Sequence, residues 1–287
     1  MAQSSVTLEL PSETPTVSTP TGYGPAKTAR QGAAAKVARS VGLPLLVFAL
    51  IILGWFAATQ NNWVNPLLVP PPAAVWDALV RGVLGGLWWS HILITLYEMV
   101  AGFVIGVIVG LVAGAVFAFV ASLYQAFYPF VIALQSFPKI AIAPLLVVAL
   151  GYGPEPKIVV AALLAFFPVM TAAIAGFTTI DPDEHRLLRS YRASKWQELR
   201  YLRIPNALSY VFPSFDVAVV LALLGAVAAE LVGAQGGLGY LLVERQSFGD
   251  SAAMYAVLIL LALLGIALRS LAQGLRRVLP RSIVPRS

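Results

Sequence analysis

The sequence has 287 residues, among them no cysteine and only two histidines. Without thiols there is no disulfide framework, no thiolate metal site and no sulfur nucleophile. His91 and His185 stand alone, without the spacing of a metal pair, and are expected to be structural or solvated. Charge is scarce too, at 11% of residues. No G-x-x-x-x-G-K-[ST] loop occurs, so the chain has no such cradle for the phosphates of ATP. No apolar stretch follows Met1 closely enough for a secretory signal. Residues 1–36 are rich in Ser, Thr, Pro and Ala and read as a disordered cytoplasmic tail.

What remains is apolar. Hydrophobic residues make up 59% of the chain and the mean hydropathy is +0.83, which places it among integral membrane proteins. Crossing a hydrocarbon core takes about 20 mostly apolar residues as helix. Six stretches meet or approach that length: about 43–59, 92–120, 128–150, 158–178, 207–232 and 252–275. They lack the alternation of barrel strands, and lipid cannot satisfy free backbone groups, so helices are expected. The net charge of +6 suggests no nucleic-acid partner, because the basic residues flank the spans. Fifteen of the 19 Lys and Arg fall in the N-terminal tail, in the loop after span four and at the C-terminal end. Arg81, Lys157 and Arg245 fall on the other side and Lys139 within a span. Positive charge is retained inside, so both termini and that loop are expected in the cytoplasm, and six spans satisfy this parity.

Between spans one and two, Pro and Gly interrupt a segment that carries Trp63, Trp76, Trp88 and Trp89. Tryptophan prefers headgroup depth, so an amphipathic helix from about Ala73 to Val83 is expected at the outer interface. Span two repeats small residues every fourth position: Gly102, Gly106, Gly110, Gly114, Ala118 and Ser122. They form one ridge where another helix backbone can approach closely, in this chain or another. Prolines interrupt later spans at Pro138, Pro144, Pro168 and Pro213. Such breaks are tolerated where protein or a water-filled cavity satisfies the freed carbonyls, which makes span three the candidate for lining a path.

Four ionisable residues lie within the spans: Glu98, Lys139, Asp216 and Glu230. A central charge in a bilayer costs at least ~2.5 kcal/mol, so all four are candidates for the translocation path or for structural ion pairs. At about 1.5 Å per residue, Lys139 and Asp216 lie roughly 16 and 13 Å from the cytoplasmic end, which predicts a pair between them. Glu98 and Glu230 sit nearer the outer face.

The loop after span four is the most basic part of the chain. Six Lys and Arg lie between Arg186 and Pro205. Asp181 followed by Pro182, Asp183 and Glu184 has the form of a helix start, with Glu184 placed to reach back. Ser194 with Gln197 has the form of a capping box. Two short helices joined near Arg192 to Ser194 are predicted, ending at Pro205 and Asn206. Leu188, Tyr191, Leu199 and Leu202 would hold the loop down, with its basic residues outward. A loop serving topology alone needs its charges and no caps, so a docking surface for another protein is expected. Arg189, Arg192, Ala193, Ser194, Lys195 and Trp196 are its candidate residues.

The spacing of Arg192, nine residues, Leu202, Arg203, Ile204 and Pro205 resembles the EAA loop of ABC importer permeases. DPDEHRLLRSYRASKWQELRYLRIPNAL is similar to the nitrate, sulfonate, taurine and bicarbonate branch, with its relatives for thiamine precursors and riboflavin. VPPPAAVWDAL, FPKIAIAPLLVVALGYG, FFPVMTAAIAGF and GAVAAELVGAQGGLGYLL extend the resemblance over roughly residues 67 to 275. The motif's Glu-Ala-Ala is Arg186, Leu187 and Leu188 here, and its Gly is Arg192. Either the joint needs no glycine-only backbone angle in this chain, or Arg192 bears strain.

The resemblance implies an all-α integral membrane protein with six transmembrane helices in the type I ABC importer permease fold, in a bacterial inner membrane. It implies a second permease copy, as in a homodimer, two cytoplasmic ATP-binding subunits and an extracytoplasmic substrate-binding protein. No cofactor and no chemical step belong to the chain itself. An ion-gradient-driven secondary transporter is the alternative, but the inverted repeat common in such folds is not visible. A membrane-embedded enzyme would need a cluster of ligands or a nucleophile with its base, and two scattered histidines do not supply one. Small anions, sulfonates, aromatic carboxylates and vitamin precursors are all open as substrates. FPKIAIAP stands nearer the vitamin-precursor and organic-acid relatives.

Overall fold

A computed structural model describes residues 27–278, and no strand occurs among them. The chain divides into two units, one through Gly54 and one from Trp55 onward. Helix α1 (Lys27–Gln60) contains all the described residues of the first unit, and its apolar side chains from Leu43 to Leu53 are largely exposed, as suits a lipid-facing surface. The tail expected over residues 1–36 lies outside the described residues as far as residue 26.

The second unit runs through α2 (Pro72–Val83), α3 (Trp89–Phe119), α4 (Ala121–Ser136), α5 (Ala143–Leu150), α6 (Glu155–Thr178), α7 (Pro182–Ser190), α8 (Lys195–Glu198), α9 (Ile204–Gly233), α10 (Leu238–Ser247) and α11 (Ser251–Val278). Among the described residues five helices are long and apolar enough to cross a membrane, and α4 with Lys139–Leu150 makes a sixth crossing if that bent pair is one span. The amphipathic helix expected near Ala73 to Val83 is α2. Of the four tryptophans around it, Trp88 is buried, while Trp63, Trp76 and Trp89 are exposed.

The glycine ridge of α3 finds its partner in the same chain, on α6. A Cβ at Gly102 would stand 2.4 Å from Ala161 Cβ, one at Gly106 2.6 Å from the Ala162 carbonyl, and one at Gly110 2.7 Å from the Phe166 carbonyl. Backbones so close leave no room for any side chain. The other face of α6 meets α9 in the same manner, with Gly225 against Ala161 and Gly176 against Ala207. A core of small residues results, including Ala161, Ala165, Ala173, Ala218, Ala222 and Ala226. In lipid, where apolar burial drives little association, such close van der Waals contact holds helices together.

Span three departs from regularity where the prolines predict it. Phe137 is extended (φ −72°, ψ 135°), the conformation that a following proline favours. Beyond Pro138 a short turn, Lys139–Ile142, leads into α5, and the two halves are bent by 83°. Pro144 sits in the first turn of α5, where no backbone donor is lost. Pro168 and Pro213 lie inside helices that continue past them.

Candidate functional site

The loop between α6 and α9 is built as the sequence indicates, apart from Glu184 and with three further corrections. Asp181 caps α7, its Oδ1 accepting from the Asp183 amide at 2.8 Å; Glu184 does not reach back. Ser194 and Gln197 complete the capping box, with the Ser194 amide donating to Gln197 Oε1 at 2.7 Å and the Gln197 amide to Ser194 Oγ at 3.3 Å. The first correction is at Pro205, which ends nothing. A wide turn, Leu199–Arg203, carries the chain from α8 into α9, and Pro205 occupies the first turn of α9.

The second correction concerns Arg203, expected outward with the other basic residues. It turns inward to Glu198 at 2.6 Å and donates to the Phe177 carbonyl at 3.1 Å, tying the loop to the end of α6. Asn206 adds bonds to the Gly176 and Thr179 carbonyls at 2.7 and 2.6 Å. Third, Tyr191 does not help to hold the loop down. It is 77% exposed and Trp196 is 65% exposed, while Leu202 is buried and Leu188 and Leu199 are half-buried. Tyr191 and Trp196, with Leu187 and Tyr201, form an exposed apolar set among Arg186, Arg189, Arg192, Lys195 and Arg200.

The joint between α7 and α8 resolves the question at Arg192. Its φ is +52°, in the left-handed region. The Arg192 amide donates to the Arg189 carbonyl at 3.0 Å and the Ala193 amide to the Leu188 carbonyl at 3.1 Å. These two bonds form the Schellman closure of a helix, whose left-handed position glycine ordinarily fills. Arg192 holds that conformation at a cost of about 1–2 kcal/mol.

Within the spans the predicted pairing of Lys139 with Asp216 does not form. Lys139 donates to the Gln135 carbonyl at 2.8 Å and lies 4.7 Å from the centre of the Phe167 ring, while Asp216 accepts from Gln273 at 3.1 Å. Estimated depth placed the two at similar levels, but depth does not fix which way a side chain points. The bend after Ser136 gives Lys139 a course of its own.

Glu98 and Glu230 meet each other and a residue that the sequence placed on the outer side, Lys157. All three are almost wholly buried, at 3%, 1% and 1% exposed. Lys157 donates to the Tyr152 and Gly153 carbonyls at 2.8 and 2.7 Å, which fastens the turn between α5 and α6, and its charge acts on both carboxyls. Glu230 has both oxygens occupied: Thr95 donates to one at 2.7 Å, and the Gly239 amide to the other at 2.6 Å. Thr95 in turn accepts from the Leu238 amide at 2.8 Å, so Glu230 and Thr95 together satisfy the first amides of α10. Gly237 has a φ of +105°, and a Cβ there would stand 2.4 Å from the Glu230 carboxyl, so only glycine fits. Its amide donates to His91 Nδ1 at 3.2 Å, which gives that histidine a structural task.

Glu230 therefore has no surface to offer a substrate in this conformation, and its chemistry is spent on fixing α10 to α3. Glu98 differs. Its Oε2 has no donor among the described residues, and it borders a cavity of about 480 Å³ together with Tyr97, Tyr152 and Lys157. A second cavity, about 390 Å³, lies at the break in span three, lined by Gln135, Lys139, Phe167 and Thr171 among others. The described residues contain no cluster of three or more His, Cys, Asp or Glu that could hold a metal ion.

Residues 102–284 match the family of binding-protein-dependent transport system inner membrane components. The chain belongs to that family. It is 34% identical to the riboflavin transport system permease protein RibX of Chloroflexus aurantiacus over 242 residues, which cover 84% of this chain and 90% of that protein. It is 27% identical over 235 residues to the putative aliphatic sulfonates transport permease protein SsuC of Bacillus subtilis, covering 82% and 85%. A crystal structure of an amino acid ABC transporter with histidines shares the fold, with a TM-score of 0.59 and 17% identity over 71% of this chain and 99% of that one. The all-α architecture is that of type I ABC importer permeases, and the chain is a multi-pass membrane protein and a permease of binding-protein-dependent transport.

Proposed function

We propose that this permease is driven by cytoplasmic ATP-binding subunits docked on residues 181–205, and that it lines the route of a small organic solute delivered by an extracytoplasmic binding protein. The observation that carries the reading is the construction of that loop. Two capped helices cost conformational entropy to order, and a purely topological loop needs only its charges. Here both ends are capped, Arg203 and Asn206 bolt the loop to α6, and Tyr191 and Trp196 stand exposed among five cations. A rigid body with an aromatic and basic face is suited to receive a push from a partner and to pass it to α6 and α9.

The working assembly in this reading is two copies of the permease, two ATP-binding subunits and one external binding protein. Both termini and the 181–205 loop lie in the cytoplasm, because that side carries fifteen of the 19 Lys and Arg. ATP hydrolysis belongs to the partner subunits. Within the spans, Lys139 at the broken helix lines the path, with Glu98 at its outer end and Asp216 on the cytoplasmic half. The names of the relatives, which specify riboflavin and aliphatic sulfonates, support a solute that is small, organic and polar.

The test is substrate-stimulated ATP hydrolysis in the reconstituted assembly, with pull-down of the ATP-binding subunit. Arg192→Pro cannot hold a positive φ, and Ser194→Ala removes the capping box. Together they are expected to abolish transport and stimulation while leaving insertion and topology intact. Transport and hydrolysis at the parent's level would reduce the loop to an anchor and remove the proposal's support.

A further inference from the structure

We propose that Lys139 is the recognition point for an organic oxyanion, a carboxylate or sulfonate with an apolar body, inside the cavity at the break in span three. The proposal rests on the translocation reading above and gives it a substrate class. Three observations converge on it. First, among the described residues Lys139 has no carboxylate partner: it is held by the Gln135 carbonyl at 2.8 Å and by the Phe167 ring face at 4.7 Å, and no described acidic residue lines the cavity. An ammonium has three N–H donors, so this arrangement leaves two unspent.

Second, the acidic residues that would neutralise such a charge are engaged elsewhere. Glu98 and Glu230 are buried outside this cavity, Glu230 bonded to Thr95 and the Gly239 amide, and Asp216 accepts from Gln273. Three of the four ionisable groups named within the spans are acids, and none of those three lines this cavity, which Lys139 faces. Third, the backbone itself is broken there. Irregular backbone at membrane depth is tolerated where it is buried in protein or lines a water-filled cavity, and the 83° bend at Pro138 places Lys139 at the opening of α5.

The shape of the cavity narrows the ligand further. Its volume of about 390 Å³ is that of a small-molecule site, and Leu164, Phe167 and Leu221 supply apolar and aromatic wall. Thr171 spends its hydroxyl proton on the Phe167 and Pro168 carbonyls, so the ammonium is the charged donor available to the anion, with the Gln135 side-chain amide the neutral donor beside it. An incoming oxyanion would meet Lys139 with its charge and the ring with its body. The ammonium already on the ring keeps that charge partly stabilised before the ligand arrives.

Benzenesulfonate is the probe, with methyl phenyl sulfone as its neutral counterpart of similar shape. Binding to the purified full-length permease in detergent is followed by thermal shift. The parent is expected to bind benzenesulfonate and to bind the sulfone roughly ten- to a hundredfold more weakly, the loss that accompanies a charge-assisted hydrogen bond. Lys139→Gln should lose the same factor for the anion, and Lys139→Arg should retain most of the affinity. Equal binding of the two probes, equal affinity of the parent and Lys139→Gln, or no binding of benzenesulfonate would each overturn the assignment. The comparison of two probes on the parent stands even if a variant folds poorly. No ATP-binding subunit takes part, so a negative result here leaves the importer reading intact, and loss of ATPase coupling in the earlier test leaves the anion site intact.

Discussion

Two lysines in the apolar region of this chain live under opposite conditions. Lys157 is 1% exposed, donates to two carbonyls and acts on two buried carboxyls. Lys139 is half-buried, rests on one carbonyl and one ring, and meets no acid among the described residues. Around Lys157 the helices touch backbone to backbone; around Lys139 the span is broken and the wall is open. A charge that the fold has compensated serves the fold, whereas a charge left without a counterion is available to something that arrives. The residue type says nothing of this difference; the neighbours decide it.

The largest effect should therefore come from Lys157. Lys157→Met leaves the Tyr152 and Gly153 carbonyls without their donor at a buried site, a loss of about 1–3 kcal/mol for each unsatisfied group. Lys139→Met removes a charge with no ionic partner and should change stability by less than about 1 kcal/mol. Thermal unfolding of the two variants in one detergent measures the contrast. Equal destabilisation would collapse the distinction between a structural and an available lysine.

The helices were legible in the sequence because apolar runs, caps and prolines act locally. The capping box at Ser194, the break at Pro138 and the amphipathic helix α2 all follow from residues within a turn of one another. Partnership across helices was not legible. Lys157 lies at a helix start beside Glu155 and Pro156, which reads as loop charge; only the packing of α3 on α6 brings it to Glu98. The Glu230 contacts with Thr95 and Gly239 span 135 and nine residues, and no spacing announces the first. Arg203 likewise reads as one more cation of a basic loop until the Phe177 carbonyl and Glu198 are placed beside it.

The glycine seam sharpens the same contrast at the level of packing. A side chain at Gly106 or Gly110 must displace the α6 backbone, so Gly106→Leu and Gly110→Leu should each lose about 1–3 kcal/mol or more, as overpacked cores do. Val148→Ala, on the exposed side of α5, should stay within about 0.5 kcal/mol. Val112, exposed on the same helix, is the control site for a matching leucine. Melting temperatures that fail to separate the glycine variants from Val112→Leu would show that α3 and α6 can part without cost.

At the loop the expected change is smaller and of opposite sign. Arg192→Gly relieves a left-handed residue and should stabilise the Schellman joint by about 1 kcal/mol. Hydrogen exchange at the Arg192 and Ala193 amides is the local probe, because both are donors in that joint. Slower exchange in the glycine variant is expected, and faster exchange would mean that the arginine side chain holds the joint through contacts of its own.

The smallest effect is the coupling between Lys139 and Asp216, and it tests the comparison where it began. Two groups with separate partners should respond independently, so Lys139→Met and Asp216→Asn should add to within about 0.5 kcal/mol in a double-mutant cycle. Lys157→Met with Glu98→Gln should behave otherwise, because the two side chains are buried at the border of one cavity. In that cycle the double variant should be more stable than the sum of the single losses allows. Additivity in both cycles would mean that the outer cluster is no more coupled than two unrelated sites. Strong coupling between Lys139 and Asp216 would mean that the charge at the broken span is compensated after all, and the oxyanion would lose its place.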